Sequence, residues 1–134
     1  MAQITIPAFI DCLSDVMEFV ESEMHGVNID KKKQTNIQIA VGEIFMNIAD
    51  YAYPSGEGGV TVSISVNPEK ISLKFSDCGE PYNPFAKEDP DTSLSVENRE
   101  PGGLGIFIVK QLMDEIEYEH RDGYNILTVC KYIS

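Results

Sequence analysis

Apolar and polar positions switch between two periods along this chain, and the switches mark its elements. Residues 3–6, Gln-Ile-Thr-Ile, alternate strictly and stop at Pro7, which predicts a short edge strand. From 8 to 24 the residues Phe9, Leu13, Val16, Met17, Val20 and Met24 return at helical spacing, and His25-Gly26 supplies a stop. Asp30 is a good N-cap for a second helix, expected to run to about Tyr53. Val60, Val62, Ile64 and Val66 then alternate with small hydroxyl residues. After the turn-forming Asn67-Pro68-Glu69-Lys70, Ile71, Leu73 and Phe75 alternate again, predicting a hairpin. A third helix is expected straight after Gly105, with Phe107, Ile108, Leu112 and Met113 as its core face. Residues 116–120 and 124–132 read as strands around an Arg121-Asp122-Gly123 turn. The order lacks the strand–helix alternation of a doubly wound fold. It predicts an α+β fold with helices packed on one face of a sheet.

The second helix is unusual. Ile37, Val41, Ile44, Phe45 and Ile48 make a broad core face, while Glu43, Asn47 and Asp50, at i, i+4 and i+7, share a polar stripe. Ile39 and Met46 flank that stripe from its other side, so the helix is apolar nearly all round and is expected to be buried. Buried polar groups need partners. The stripe is therefore either a partly solvated row with local hydrogen bonds or the wall of a cavity holding a cation and a polar ligand. Three consecutive lysines, Lys31, Lys32 and Lys33, open this helix at the wrong end for its dipole, so solvation or a partner is expected to hold them.

Bulk composition narrows the field. With 134 residues, 43% hydrophobic and 24% charged, the chain is expected to be one domain, 1–134, with a single core. No apolar run nears the ~20 residues of a membrane span, and the start lacks a signal peptide's basic and apolar regions. A cytoplasmic protein without membrane contact is the expectation. The three cysteines, Cys12, Cys78 and Cys130, are widely spaced, which favours free buried or half-buried thiols over a disulfide framework or zinc site. A formal net charge of −12 repels nucleic acid phosphates, so no direct nucleic acid binding is expected.

Three pieces carry candidate chemistry. Glu43 can accept a proton from a hydroxyl or water, and Asn47 offers a neutral oxygen to Mg²⁺. Asp77-Cys78-Gly79 ends a strand. There an ionised Asp can hold an exocyclic amine such as adenine's, and Gly79 lets a flat ring approach; an ordinary Asx-turn is the alternative. Gly102-Gly103-Leu104-Gly105 opens a helix, where converging N–H groups favour an anion. It is not a P-loop, since no Gly-Lys-Ser/Thr follows, nor a dinucleotide fingerprint, since a long loop precedes it. That loop, residues 82–101, has little periodicity and is long enough to suggest function or disorder.

Taken in order, these pieces resemble the GHKL-type ATPase domain of histidine kinases and type II topoisomerases. They look most like the small anti-sigma factor serine kinases of bacteria. The resemblance spans essentially the whole chain. It is carried most specifically by the run from Gly102-Gly-Leu-Gly-Ile-Phe-Ile-Val to Tyr118, and next by Asp77-Cys-Gly-Glu-Pro-Tyr-Asn-Pro-Phe85. It implies a two-layer sandwich in which three main helices cover one face of a mixed, mostly antiparallel sheet. It implies ATP and Mg²⁺ as cofactors, with Glu43 as general base toward a substrate serine, Asn47 as metal ligand and Asp77 with Gly79 at the adenine. Gly102, Gly103, Leu104 and Gly105 would wrap the phosphates, residues 82–101 would form the lid, and Thr128 would lie near the adenine. Arg99, the lid's one arginine, would reach the γ-phosphate or stay solvated. The implied activity is ATP-dependent phosphorylation of a serine on an anti-sigma factor antagonist, with sequestration of an RNA polymerase sigma factor. The alternative is a nucleotide-dependent partner-binding module without transfer. Relatives of this kind tend to be dimers, which implies a homodimer here with the first helix or the first strand supplying the interface. Ile48 replaces the family's usual Ala and Tyr51 its common His. No phosphoacceptor His segment precedes the domain, which argues against a complete sensor kinase.

Overall fold

The computed structural model describes residues 1–54, 57–86 and 103–134. Its elements form close to where the spacing places them. Strand β1 (Ala2–Pro7) is followed by a 3₁₀ turn (Ile10–Cys12) and helix α1 (Leu13–Met24). The predicted first helix thus starts late, because Phe9 holds extended backbone at φ −117° and ψ 145°. Phe9 is consequently exposed instead of joining the core face, as is its neighbour Ile10. Helix α2 (Lys31–Tyr51) opens on the expected cap, Asp30, whose Oδ1 accepts from Lys32 N at 2.8 Å and Lys33 N at 3.4 Å. Lys31 and Lys32 are exposed at this end, and Lys33 is half-buried.

Strands β2 (Gly59–Val66) and β3 (Lys70–Asp77) form the predicted hairpin. Its turn is held by Asn67, whose Oδ1 accepts from Glu69 N and Lys70 N at 2.8 and 2.9 Å. A 3₁₀ turn (Pro84–Ala86) follows, then helix α3 (Gly103–Leu112), β4 (Glu115–Arg121) and β5 (Tyr124–Tyr132). Asp122 and Gly123 join the last two strands with φ of 54° and 83°. Positive φ at both central positions is what a two-residue hairpin loop needs to match strand twist.

The strands order as β1-β2-β3-β5-β4. All four pairings are antiparallel, so the sheet is not mixed. The last hairpin docks through β5, which enters between β3 and β4 and sets Asp77 opposite Asn125. Alternation sorts the sheet into two faces. Val60, Val62 and Ile64, Leu73 and Phe75, and Leu127 and Val129 are buried on the helix-covered face. Thr61, Ser65, Ser72, Lys74 and Thr128 fall on the other.

Helix α2 packs between α1 and α3. Ile37, Ala40, Val41, Ile44, Phe45 and Ile48 are its buried residues. Ile39 is 43% exposed, however, so α2 is buried along one side and open along the other. The C-terminal end of α3 is tied to the sheet by Lys131, whose Nζ donates to Leu112 O at 2.7 Å. A cation there complements the helix dipole. Among the described residues, no helix is long and apolar enough to cross a membrane.

Candidate functional site

The open side of α2 faces a cleft. Glu43, Met46, Asn47, Asp50 and Tyr51 line it from α2, and Gly105 and Ile106 line it from the first turns of α3. Its volume is about 120 Å³. The predicted stripe therefore stays together and meets the predicted glycine-rich helix entry. The fit is close: a methyl group built on Gly105 would collide with Oε2 of Glu43. Among the described residues, no hydrogen bond occupies the Glu43 carboxylate or the Asn47 carboxamide. Both are left free toward the cleft, and among the described residues no group of three or more His, Cys, Asp or Glu is set for a metal.

A second cavity adjoins the first and shares Asn47 and Tyr51 with it. Ile48, Ala52, Asp77, Glu80, Tyr82, Pro84, Asn125 and Leu127 complete its lining. Its volume, about 20 Å³, is room for little more than one water. Tyr51 and Tyr82 stand across its mouth with ring centroids 6.3 Å apart and planes tilted by 40°. Ile48 and Tyr51, the two departures from the family pattern, thus shape this cavity. A purine would enter only if part of the wall moved outward.

Asp77 ends β3 and is 4% exposed. Its Oδ1 accepts from Gly79 N at 2.9 Å and from Asn125 Nδ2 at 3.0 Å. Oδ2 accepts no hydrogen bond from the described residues. The Asx-turn reading is therefore correct as geometry, and it leaves one carboxylate oxygen available. Gly79 is required by contact. A methyl group on it would run into the backbone carbonyl of Ala52, which accepts from Glu80 N at 3.0 Å. The Asp77–Gly79 loop is thereby fastened to the last turn of α2.

Two residues that pattern reading passes over complete the site. Asn125, also 4% exposed, bonds Asp77 from the facing strand. Thr128 does not take that place. It pairs with Lys74 and Glu117, three residues along β5, and so lies on the opposite sheet face. Tyr53 accepts from Cys78 N at 2.9 Å and donates to Gly59 O at 2.6 Å, joining the ends of α2, β2 and β3. Burial raises the pKa of its hydroxyl above the usual tyrosine value, and the charges of Asp77 and Cys78 add to the rise. Cys78 itself is exposed, while Cys12 is half-buried and Cys130 buried. The neighbouring Cys78 thiol also raises the pKa of the exposed Tyr124 hydroxyl. The Asp122-Gly123 turn just before it was the only hint in the sequence that Asn125 stands at the start of a strand, and nothing local set it beside Asp77. Arg99, Gly102 and residues 87–101 of the expected lid lie outside the described residues. The backbone of Gly103 and Leu104 forms the first turn of α3.

A family model for the histidine kinase-like ATPase domain matches residues 6–131. The chain belongs to that family. It is 30% identical over 103 residues to the serine-protein kinase RsbW of Bacillus mycoides, covering 73% of this chain and 63% of that protein. It is 25% identical over 135 residues to RsbW of Halalkalibacterium halodurans, covering 98% and 82%. To the serine/threonine-protein kinase BtrW of Bordetella bronchiseptica it is 26% identical over 97 residues, covering 72% and 68%. Two solved structures share the fold. The RsbU and RsbW domains of a Mycobacterium tuberculosis protein align with a TM-score of 0.63 at 14% identity, over 99% of this chain and 33% of that one. The catalytic domain of histidine kinase ThkA aligns with a TM-score of 0.57 at 15% identity, over 99% and 98%.

Proposed function

We propose that this domain binds ATP with Mg²⁺ and transfers the γ-phosphoryl group to a serine of a partner protein. The observation that carries the reading is the meeting of two cavities at Asn47. One of them holds Glu43 and the start of α3, and the other holds Asp77. Kinship with proteins named as serine-protein kinases supports the same class of activity.

The residues fit the two cofactors. A neutral carboxamide oxygen at Asn47, with Asp50 in the same cleft, suits a hard cation that keeps most of its waters. The free Oδ2 of Asp77 suits a base bearing an exocyclic amine. The backbone N–H groups opening α3, from Gly103 to Gly105, suit phosphate oxygens, and Gly102 and Arg99 are assigned there from the sequence alone. Bound ATP supplies the transferable group, with the metal offsetting its charge.

The protein's part is positional and electrostatic. Asp77 holds the base end, Asn47 the metal side, and the first turn of α3 the anion. Glu43, with its carboxylate against Gly105, takes the proton from the attacking serine hydroxyl. The substrate in this reading is a small anti-sigma factor antagonist, and the second partner is a sigma factor held when the antagonist is phosphorylated. The test is incubation with ATP, Mg²⁺ and a candidate antagonist, followed by intact-mass measurement. A single phosphate added to one partner serine is the expected result. ATP binding without any mass change would leave the alternative, a nucleotide-dependent binding module.

A further inference from the structure

Asn125 has no polar capacity left for a ligand. Its Nδ2 donates to Asp77 Oδ1 at 3.0 Å, to Glu80 O at 2.9 Å and, more weakly, to Gly79 O at 3.4 Å. Its Oδ1 accepts from Tyr82 N at 3.3 Å and from the Tyr118 hydroxyl. The orientation of the amide is unambiguous, because a carboxylate and two carbonyls can only accept and so must face the NH₂ group. The residue is 4% exposed and lies on β5, an interior strand between β3 and β4, directly opposite Asp77. Buried amides with every atom engaged are rigid elements of a polar network.

What this network holds is specific. It occupies one oxygen of Asp77 and leaves the other, Oδ2, without a partner among the described residues. It also ties Glu80 and Tyr82 of the cavity wall, and Gly79 beside them, to the same strand. We propose that Asn125 is a positioning residue for base recognition: it aims the free oxygen of Asp77 at the exocyclic amine and sets the wall of the base cavity around it. The inference rests on the nucleotide reading of the site. It assigns a role to a residue that touches no base.

A merely structural asparagine would weaken all nucleotides alike. An aiming residue would weaken those whose amine Asp77 reads, and spare those without it. The experiment compares ATP with inosine triphosphate, which carries a carbonyl where adenine carries the amine, by calorimetric titration with Mg²⁺. Wild type is expected to prefer ATP. Asn125→Ser should cut that preference by about tenfold, the size of coupling between neighbours in one hydrogen-bond network. Tyr118→Phe removes only the hydroxyl that donates to Asn125 Oδ1 and keeps the half-buried ring. It should move the preference in the same direction by about threefold, and it serves if the serine variant does not fold. An unchanged or increased preference for ATP in the folded variant overturns the assignment. Failure of wild type to bind ATP would instead overturn the nucleotide reading itself, and the inference with it.

Discussion

Gly79 and Gly105 both sit where a methyl group would collide, but the obstacles differ. At Gly79 the obstacle is the backbone carbonyl of Ala52, fixed by the end of α2 and by its bond from Glu80 N. Gly79→Ala must therefore shift main chain and lose that bond. It should cost about 2 kcal/mol, a fall of roughly 6–10 °C in melting temperature, checked by thermal unfolding without ligand. At Gly105 the obstacle is the tip of the flexible Glu43 side chain, which can swing away at little cost. Alanine also favours a helix over glycine by about 1 kcal/mol. Gly105→Ala is expected to keep or slightly raise stability while displacing the proposed base, so that phosphoryl transfer falls and unfolding does not. Glu43→Gln should match it in activity, with transfer reduced about 10²–10⁴-fold and ATP binding retained, by intact-mass kinetics and calorimetry. Wild-type transfer in Glu43→Gln would remove Glu43 from the mechanism.

Element ends, more than element interiors, hold this site together. The Tyr53 hydroxyl joins α2, β2 and β3 through two main-chain bonds, and its ring lies where a methyl group on Gly58 would stand. Tyr53→Phe leaves Cys78 N and Gly59 O without that partner and should cost about 1–2 kcal/mol at neutral pH. The raised pKa adds a signature. The folded state favours the neutral phenol, so the stabilisation is whole below the ordinary tyrosine pKa near 10 and drains as pH climbs through the higher folded value. The gap between wild type and Tyr53→Phe in urea unfolding should therefore narrow above pH ~10. A gap that stays constant would mean that Tyr53 titrates alike in both states. This staple also shows what the sequence could reveal. The Asp30 cap, the Asn67 and Asp122-Gly123 turns and the Glu43–Asn47–Asp50 stripe are local, and period and turn chemistry were enough to find them. Asn125 and Tyr53 act through register and packing between segments far apart in sequence, and no local pattern records that β5 enters beside β3. The error at Thr128 has the same origin, since an odd offset along a strand reverses the face.

Charge acts on the whole molecule. With 22 acidic and 10 basic residues, the folded chain concentrates like charge that the unfolded chain spreads out. Edge strand β4 shows this locally: Glu115, Glu117 and Glu119 project on one face, all exposed. Neighbours two apart on a strand stand roughly 7 Å from each other, within the ~10 Å screening length of 0.1 M salt. A charged edge also resists pairing with another sheet, so the row trades some stability for solubility. Replacing the middle member, Glu117→Lys, turns two repulsions into two attractions and keeps a charge on the edge. Exposed pairs of this kind contribute about 0.2–1 kcal/mol each. The variant should therefore melt a few degrees above wild type at low salt. Salt should also raise the melting temperature of wild type itself, by relieving repulsion across the molecule. It should close the gap between the two proteins, because near 1 M the screening length falls to ~3 Å. Melting curves of both proteins across a sodium chloride series check this. A gap that survives high salt would assign the gain to packing or strand propensity at position 117, and a wild type that loses stability as salt rises would mean that its acidic excess does not oppose folding.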